Sequence, residues 1–177
     1  MITNRLHRHL TETVLEALGH FRVVVVTGAR QVGKSTLARA VLKQHPGTYL
    51  TLDRPDILER AESDPLGLVG SAPDGLMVLD EVQLVPDLLR AVKLAVDRDE
   101  RPGAFLLTGS ANLLRMRSVT ETLAGRAAYV ELGSLSLGER FGQSAPRTID
   151  RAFSSPTAEE FLGGFTADDT SGGSQAG

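Results

Sequence analysis

A glycine-rich segment of fixed spacing constrains this chain more than any other part of its sequence. Residues 28–35, GARQVGKS, match the pattern GxxxxGK[ST] at every fixed position. A run of β-branched residues, RVVVVT at 22–27, precedes the segment, and a helical pattern of apolar residues follows it. Because such a loop must leave a buried strand and open a helix, this context predicts a phosphate-binding loop in an α/β fold.

The chemistry of phosphate binding explains these residue types. Glycines permit a tight turn that presents backbone N–H groups to phosphate oxygens, and the next helix directs its positive end at them. Lys34 is expected to reach the β- and γ-phosphates of ATP, and Ser35 to place its hydroxyl on Mg²⁺. We predict that the nucleotide contacts Gly28, Ala29, Arg30, Gln31, Val32, Gly33, Lys34, Ser35 and Thr36.

Two adjacent acids end a second apolar strand, LMVLDE at 76–81. In open α/β sheets, ligands bind in the crevice beyond the carboxyl ends of the strands. Asp80 is therefore expected to hold Mg²⁺ through a water molecule, and Glu81 to polarise the water that attacks the γ-phosphate. The alternative for Glu81 is a solvated loop charge.

A third apolar strand, FLLTGS at 105–110, ends in small polar residues. Thr108 or Ser110 is expected to lie beside the γ-phosphate and to sense it by hydrogen bonding. The alternative is structural, because Gly109 and Ser110 are also typical of a turn and a helix N-cap.

The hydrophobic pattern predicts strands that alternate with helices, and therefore a parallel sheet with right-handed crossovers. Strands are expected at 22–27, 48–53, 76–80, 104–109 and 127–132. Helices are expected at 3–19, 34–43, in short pieces over 55–70, from Pro86 onward, and at 118–124. The first helix is expected to bury a stripe formed by Leu6, Leu10, Val14 and Leu18.

Composition narrows the classes of function. The net charge of -3 over 177 residues provides no global basic field for nucleic acid or a membrane surface. The absence of cysteine excludes disulfides and thiolate metal sites. Because no apolar run is long enough to span a bilayer and the N-terminus lacks a signal-peptide core, we expect a cytoplasmic protein.

Several segments together resemble the AAA-type ATPase module of a widespread prokaryotic group, whose members join this module to a C-terminal domain of unknown function. The resemblance covers roughly residues 5–141. The matching segments are TGARQVGKSTL (27–37), YLTLD-R-P (49–55), VLDEVQLVP (78–86), LLTGSA (106–111), LAGR (123–126) and LSLGER (135–140).

The resemblance implies the AAA+ type of P-loop fold, with a five-stranded parallel sheet in the order 5-1-4-3-2. It also implies ATP rather than GTP, and a role for Gln83 in holding the switch region near Glu81. Arg126 matches the place where AAA+ proteins put an arginine finger. Its position before the fifth strand suggests action on a neighbouring subunit; the alternative is a surface ion pair with Glu131 or Glu139.

The sequence suggests four segments. They are an N-terminal helix at 1–20, a P-loop ATPase domain at 21–142, a linker or the start of a truncated second domain at 143–165, and a disordered tail at 166–177. The segment FLGGF at 161–165 looks like the start of the family's second domain, and TADDTSGGSQAG follows it.

Three functions remain open at this point. The first is an ATPase whose nucleotide state drives a conformational change, and the second is a nucleotide-gated binding module with negligible turnover. The third, a small-molecule kinase, is disfavoured because Glu81 directly follows Asp80 and no arginine-rich lid segment follows the fourth strand. Expected partners are a second copy of the chain and an unidentified protein; nucleic acid is suggested by analogy alone.

Overall fold

Five parallel strands form the centre of the structure. A computed structural model describes residues 6–71, 75–115 and 121–143, with the backbone alone at 114–115. The strands are β1 (Val23–Gly28), β2 (Gly47–Thr51), β3 (Leu76–Asp80), β4 (Phe105–Ser110) and β5 (Ala127–Glu131). They lie in the order β2-β3-β4-β1-β5 with every pair parallel. This confirms the predicted order 5-1-4-3-2, read from the opposite edge.

Helices connect the strands, as the alternating pattern predicts. They are α1 (Leu10–His20), α2 (Lys34–Gln44), α3 (Pro55–Ser63), α4 (Pro65–Gly70), α5 (Leu88–Arg98) and α6 (Leu137–Arg140), with 3₁₀ turns at Val82–Leu84 and Ala111–Arg115. None of the helices in the described ranges is long and apolar enough to cross a membrane.

Both faces of the sheet are covered, because successive residues of each strand point to opposite sides. Val24 and Val26 of β1 pack with Leu37 of α2 and Val14 of α1 on one face. Val23 and Val25 pack with residues of α3, α4 and α5 on the other. Every residue of β1 is therefore buried, which is why its sequence is a continuous apolar run rather than an alternating one.

The predicted first helix begins too early. The periodicity predicts a start at residue 3 with Leu6 on the buried stripe, but α1 starts at Leu10 and Leu6 is exposed. A long-range contact accompanies the later start: the Arg8 side chain and the His9 N–H both bind the Glu139 carboxylate.

The predicted second strand is too long at its end. The pattern extends it to Asp53, but β2 ends at Thr51. The Arg54 N–H donates to the Thr51 carbonyl at 3.2 Å, so the chain turns at 52–53 before α3 begins.

Some predictions fall outside the described residues. The helix expected at 118–124 lies partly there, and so do the linker and the tail expected beyond residue 143. The five-stranded fold belongs to one unit, Met1–Gly142, which also includes α1.

Because the strands are parallel, the polar residues at the carboxyl ends of four strands lie at the same end of the sheet. Gly28 of β1 lies opposite Ser110 of β4, and Thr51 of β2 lies opposite Asp80 of β3. The residues predicted to bind nucleotide, metal and attacking water therefore share the carboxyl end of the sheet.

Candidate functional site

The glycine-rich loop connects the end of β1 to the start of α2. Gly33, the last residue before the helix, has φ +99° and ψ 25°, a left-handed conformation that glycine adopts without strain. Gln31 is also left-handed, with φ +63°. The loop thus reverses direction within a few residues and leads into the N-terminus of an 11-residue helix, the arrangement that exposes backbone N–H groups to an anion.

Lys34 lies buried at the first position of α2, with 5% of its side chain exposed. Its Nζ donates to the carbonyl oxygens of Gly28 at 3.2 Å and Ala29 at 2.9 Å. A cation at the positive end of a helix is electrostatically unfavourable, and within the described ranges Lys34 forms no ion pair with a carboxylate. An anion bound in the loop would satisfy both the lysine and the helix end.

Asp80 is the second buried charge of the site, with 2% exposure. The hydroxyls of Tyr49 on β2 and Thr108 on β4 each donate to one of its carboxylate oxygens. Two neighbouring strands therefore fix the orientation of Asp80 at the end of β3.

Tyr49 also lies near the phosphate-binding loop, because the Ser35 side chain is among the groups that influence its pKa. Burial, followed by the hydrogen bond to the Asp80 carboxylate, raises the pKa of Tyr49 to about 12. The guanidinium of Arg39 stands 3.9 Å from the centre of the tyrosine ring, a cation–π arrangement. The tyrosine is thus held as a neutral donor between two groups predicted to bind metal.

The residues at this position fit Mg²⁺. Asp80 offers a buried carboxylate at the end of β3, and Ser35 offers a hydroxyl in the first turn of α2. Mg²⁺ prefers oxygen ligands and is usually held by one or two carboxylates together with water and substrate phosphates. One hydroxyl and one carboxylate are oxygen donors of the kind that this requirement describes.

Glu81 adopts a left-handed backbone conformation, φ +63° and ψ 41°, which is uncommon for a residue with a side chain and typical of functional sites. Its N–H donates to the Thr108 hydroxyl at 3.4 Å. Its carboxylate accepts a hydrogen bond from the Gln83 side-chain amide. Glu81 is half-buried, and its role as the base stays a prediction beside the alternative of a solvated loop charge.

Gln83 links the ends of β3 and β4. Its amide nitrogen donates to Glu81, and its amide oxygen accepts the N–H of Ser110 at 3.2 Å. A Cβ atom on Gly109 would lie 2.7 Å from the Gln83 oxygen, so a larger residue there would displace the Gln83 amide. The contact agrees with the role that the family resemblance implied for Gln83.

Thr108 and Ser110 have different environments. Thr108 is fully buried, and its hydroxyl is engaged by Asp80. Ser110 is half-buried at the end of β4 and is tied through its backbone to Gln83. The structure therefore brings both residues next to the acidic pair, and the sensing of a γ-phosphate by either of them stays a prediction.

Arg126 lies at the opposite end of the sheet. It precedes β5, and its carbonyl accepts the N–H of Val23, the first residue of β1. Five residues separate that point from Gly28, about 16 Å along a strand. Its guanidinium pairs with Asp97 of α5 and donates to the Ala124 carbonyl. The ion pair predicted as the alternative role of Arg126 therefore exists, but its partner is Asp97 rather than Glu131 or Glu139.

Two residues of the site were missed by sequence reasoning. Tyr49 was seen only as part of a strand, and the pattern of that strand does not show that its hydroxyl reaches Asp80 on the neighbouring strand. Arg8 donates to the carbonyl of Val32 in the loop and pairs with Glu139. These partners lie 24 and 131 residues away, and no local pattern connects them.

Comparison with known proteins agrees with this geometry. The chain is 37% identical over 131 residues to the "Uncharacterized protein Mb2031c" of Mycobacterium bovis and to the "Uncharacterized protein Rv2008c" of Mycobacterium tuberculosis. The match covers 74% of this chain and 29% of each relative. The chain thus spans less than a third of the length of the curated relatives it matches.

Solved structures share the fold. The Walker-type ATPase PABY2304 of Pyrococcus abyssi superposes with a TM-score of 0.51 at 16% identity, over 80% of this chain and 60% of that one. AMPPCP-bound DnaA from Aquifex aeolicus superposes with a TM-score of 0.50 at 18% identity, over 88% and 57%. Residues 20–141 match the family described as "AAA domain". The chain therefore belongs to the AAA domain family, as an AAA-type P-loop ATPase module.

Proposed function

We propose that this AAA domain binds ATP with Mg²⁺, hydrolyses it to ADP and phosphate, and uses the change of nucleotide to drive a conformational change. One observation carries the proposal: Lys34 is buried at the N-terminus of α2 and donates to two loop carbonyls. The buried carboxylate of Asp80 lies at the same end of the sheet. Both charges are buried at the carboxyl end of the sheet, where a phosphate and a divalent cation would neutralise them.

Each residue has a defined role in the proposed reaction. The loop N–H groups and Lys34 bind the β- and γ-phosphates, while Ser35 and Asp80 hold Mg²⁺, which neutralises charge on the phosphates. Glu81 orients the attacking water and accepts its proton as the oxygen bonds to the γ-phosphorus. The bond between that phosphorus and the β–γ bridging oxygen breaks, leaving ADP and inorganic phosphate.

A cavity beside the loop supports a purine nucleotide. It has a volume of about 250 Å³ and continues from Thr36 between α2 and the segment before α1. Leu6, Leu37 and Ala40 supply apolar lining, and His7 a flat polar ring. A mostly apolar pocket with a few polar groups suits a planar base, so we assign this cavity to the adenine of ATP.

Calorimetry of the whole chain tests the binding step. Lys34→Ala should weaken Mg·ATP binding at least about ten-fold, because it removes a cation that contacts two phosphates. Lys93→Ala is the matched control, since Lys93 is half-exposed on α5 and pairs there with Asp97. Equal ATP affinity in the wild type and the Lys34 variant would contradict the proposal.

Phosphate release tests the catalytic step. Glu81→Gln should retain ATP binding while losing about 10²–10⁴-fold in turnover, the usual contribution of a positioned general base. If the variant hydrolyses ATP at the wild-type rate, Glu81 is not the base. The cytoplasmic location and the protein partner expected from the sequence remain predictions.

A second function, a nucleotide-gated binding module with negligible turnover, is favoured by one observation. The Glu81 carboxylate is already hydrogen-bonded to Gln83, within a backbone conformation that restricts it. If wild-type protein binds ATP but releases no phosphate, and Gln83→Ala starts release, the module holds its base in an inactive position.

A further inference from the structure

A buried ion pair contacts the phosphate-binding loop at the carbonyl of Val32. The Arg8 Nε donates to Glu139 Oε1 at 3.0 Å, and the two side chains are 6% and 5% exposed. Arg8 belongs to the segment before α1, and Glu139 to α6, the last element of the described fold. Two charges are expensive to remove from water, so this pair needs further hydrogen bonds to persist.

Arg8 supplies those bonds to backbone carbonyls. One guanidinium nitrogen donates to the carbonyl of Val32 in the loop at 2.5 Å, and the other donates to the carbonyl of Gly133, after β5, at 2.8 Å. A Cβ atom on Gly33 would lie 3.3 Å from the same guanidinium, so the arginine packs directly against the loop. Arg8 thereby restrains the loop at the residue before its left-handed turn.

Glu139 holds the arginine in that position. Its Oε1 also accepts the N–H of His9 at 2.8 Å, and its Oε2 accepts the N–H of Ser136 at 2.8 Å. Burial by itself would raise the pKa of Glu139, but the N–H groups of Ser136 and His9 and the guanidinium of Arg8 lower it to about 2. The carboxylate stays charged at neutral pH and joins distant parts of the chain.

We propose that Arg8 and Glu139 are positioning residues for the phosphate-binding loop. By fixing the Val32 carbonyl, they keep the loop N–H groups turned toward the phosphates, and they make nucleotide affinity depend on the position of α6. The inference rests on the proposed function, since it concerns the affinity of the same site for ATP. Neither residue touches the reacting atoms, so both act through the loop.

Nucleotide and inorganic pyrophosphate affinities of the full chain test the proposal. Arg8→Gln and Glu139→Gln should each weaken Mg·ATP binding about ten-fold or more, the equivalent of one hydrogen bond to a charged group. Pyrophosphate should weaken by the same factor, because it occupies the loop without a base. A loss confined to ATP would place the effect in the adjoining base cavity, which Arg8 also lines, and would overturn the proposal.

A lone buried charge can prevent folding, so a second variant keeps the test decisive. The double variant Arg8→Met, Glu139→Gln leaves no uncompensated charge, and the amide that replaces the carboxylate can still accept a backbone N–H. It should fold and bind pyrophosphate as weakly as the single variants. Val92→Ala provides the control for stability: Val92 is fully buried on the other face of the sheet, so its loss should lower the melting temperature and leave both affinities unchanged.

Thermodynamic linkage provides a second measurement, whose result would not change if the pair had only a structural role. If the pair sets ATP affinity, Mg·ATP must stabilise the pair by the same factor. Hydrogen exchange of the His9 and Ser136 N–H groups should therefore slow on addition of Mg·ATP, and the slowing should vanish in the double variant. Wild-type binding with unchanged affinity in folded variants overturns this inference alone, whereas no ATP binding by the wild type overturns the proposed function.

Discussion

Both ends of the sheet carry charged side chains, but the two ends hold them differently. At the carboxyl ends of the strands, Lys34 and Asp80 are buried and each is held by two hydrogen bonds. At the amino ends, Arg126 with Asp97 and Arg22 with Glu100 form ion pairs that remain partly open to solvent. Lys34 and Asp80 are therefore enclosed at one end, whereas these two ion pairs at the other end are partly solvated.

The difference identifies which charges the fold has to support. Exposed ion pairs contribute little to stability, because water screens them and ordering long side chains opposes them. Buried charges persist only when their surroundings supply partners. The hydroxyls of Tyr49 and Thr108 and the carbonyls of Gly28 and Ala29 are such partners, so the carboxyl end is built around charges that a ligand would use.

The largest expected effect concerns Arg126, and it would give a catalytic role to a charge at the amino ends of the strands. If Arg126 acts as an arginine finger on ATP bound to a neighbouring subunit, Arg126→Ala should lower turnover about 10³–10⁵-fold. Its location about 16 Å from its own loop makes action on a neighbour's site the accessible route. Mixing Arg126→Ala with Lys34→Ala protein should then restore part of the activity, since some sites would combine an intact loop with an intact arginine.

Two outcomes would contradict the finger assignment. One is no recovery in the mixture at concentrations where the wild type self-associates and hydrolyses ATP. The other is a wild type that remains monomeric and fully active. Either would leave Arg126 as one member of the ion pair with Asp97.

A smaller effect is expected at the buried end. Asp80→Asn should weaken the affinity for Mg²⁺ in the presence of ATP about 10–100-fold. This is the usual effect of losing a group that orients metal-bound water. The two hydroxyls that contact Asp80 can rotate to suit an amide, so folding should survive. Titration of ATP affinity against Mg²⁺ measures the change. An unaltered magnesium dependence would remove Asp80 from the metal site.

Tyr49→Phe should have a milder effect of the same kind, about two- to ten-fold, because one hydrogen bond to Asp80 is lost while Thr108 retains the other. Tyr129→Phe is the matched control, on an edge strand. The chain has two tyrosines and no tryptophan, so tyrosine emission in the Tyr129→Phe background reports Tyr49 alone. If addition of Mg·ATP does not change this emission, and Tyr49→Phe binds Mg·ATP as tightly as the wild type, the tyrosine has only a structural role.

Much of this arrangement could be predicted from the sequence. The apolar runs and the spacing of the loop identify strands whose carboxyl ends must meet in a parallel sheet, which brings Lys34, Asp80, Glu81 and Thr108 together. The partners of these residues could not be predicted in the same way. Whether the Tyr49 hydroxyl reaches Asp80 depends on the register between β2 and β3, which the pattern of either strand leaves open.

Long-range side-chain pairs were the least predictable part. The sequence suggested a glutamate as the partner of Arg126, but α5 brings Asp97 alongside the start of β5. Arg8 and Glu139 are 131 residues apart, and the periodicity that placed Arg8 in a helix gave no sign of this pairing. Such pairs depend on how helices pack over the sheet, and packing geometry is set by the whole core rather than by local sequence.

The smallest expected effect concerns acid stability and sharpens the contrast between the two ends. The hydrogen bond from Arg126, with a second from Lys93, lowers the pKa of Asp97 to about 2. The pKa of Glu139 is also held near 2, but by buried partners. An unfolded chain binds these protons near pH 4, so between about pH 4 and 2 it takes up more protons than the folded chain. Both carboxylates therefore stabilise the fold above pH 4 and lose that contribution as the pH falls.

High salt should reduce the contribution of Asp97 to stability but not that of Glu139. The free energy of unfolding in urea should be measured from pH 7 to pH 2. At low ionic strength it should fall slightly less with decreasing pH in Asp97→Asn than in the wild type. In about 1 M salt, where the Debye length is roughly 3 Å, the two proteins should not differ. The contribution of Glu139 should survive that salt, because protein rather than water surrounds the pair. If Asp97→Asn changes the acid limb equally at low and high salt, the amino-end pair is as enclosed as the carboxyl-end charges. The contrast between the two ends would then rest on their hydrogen-bond partners and not on exposure to solvent.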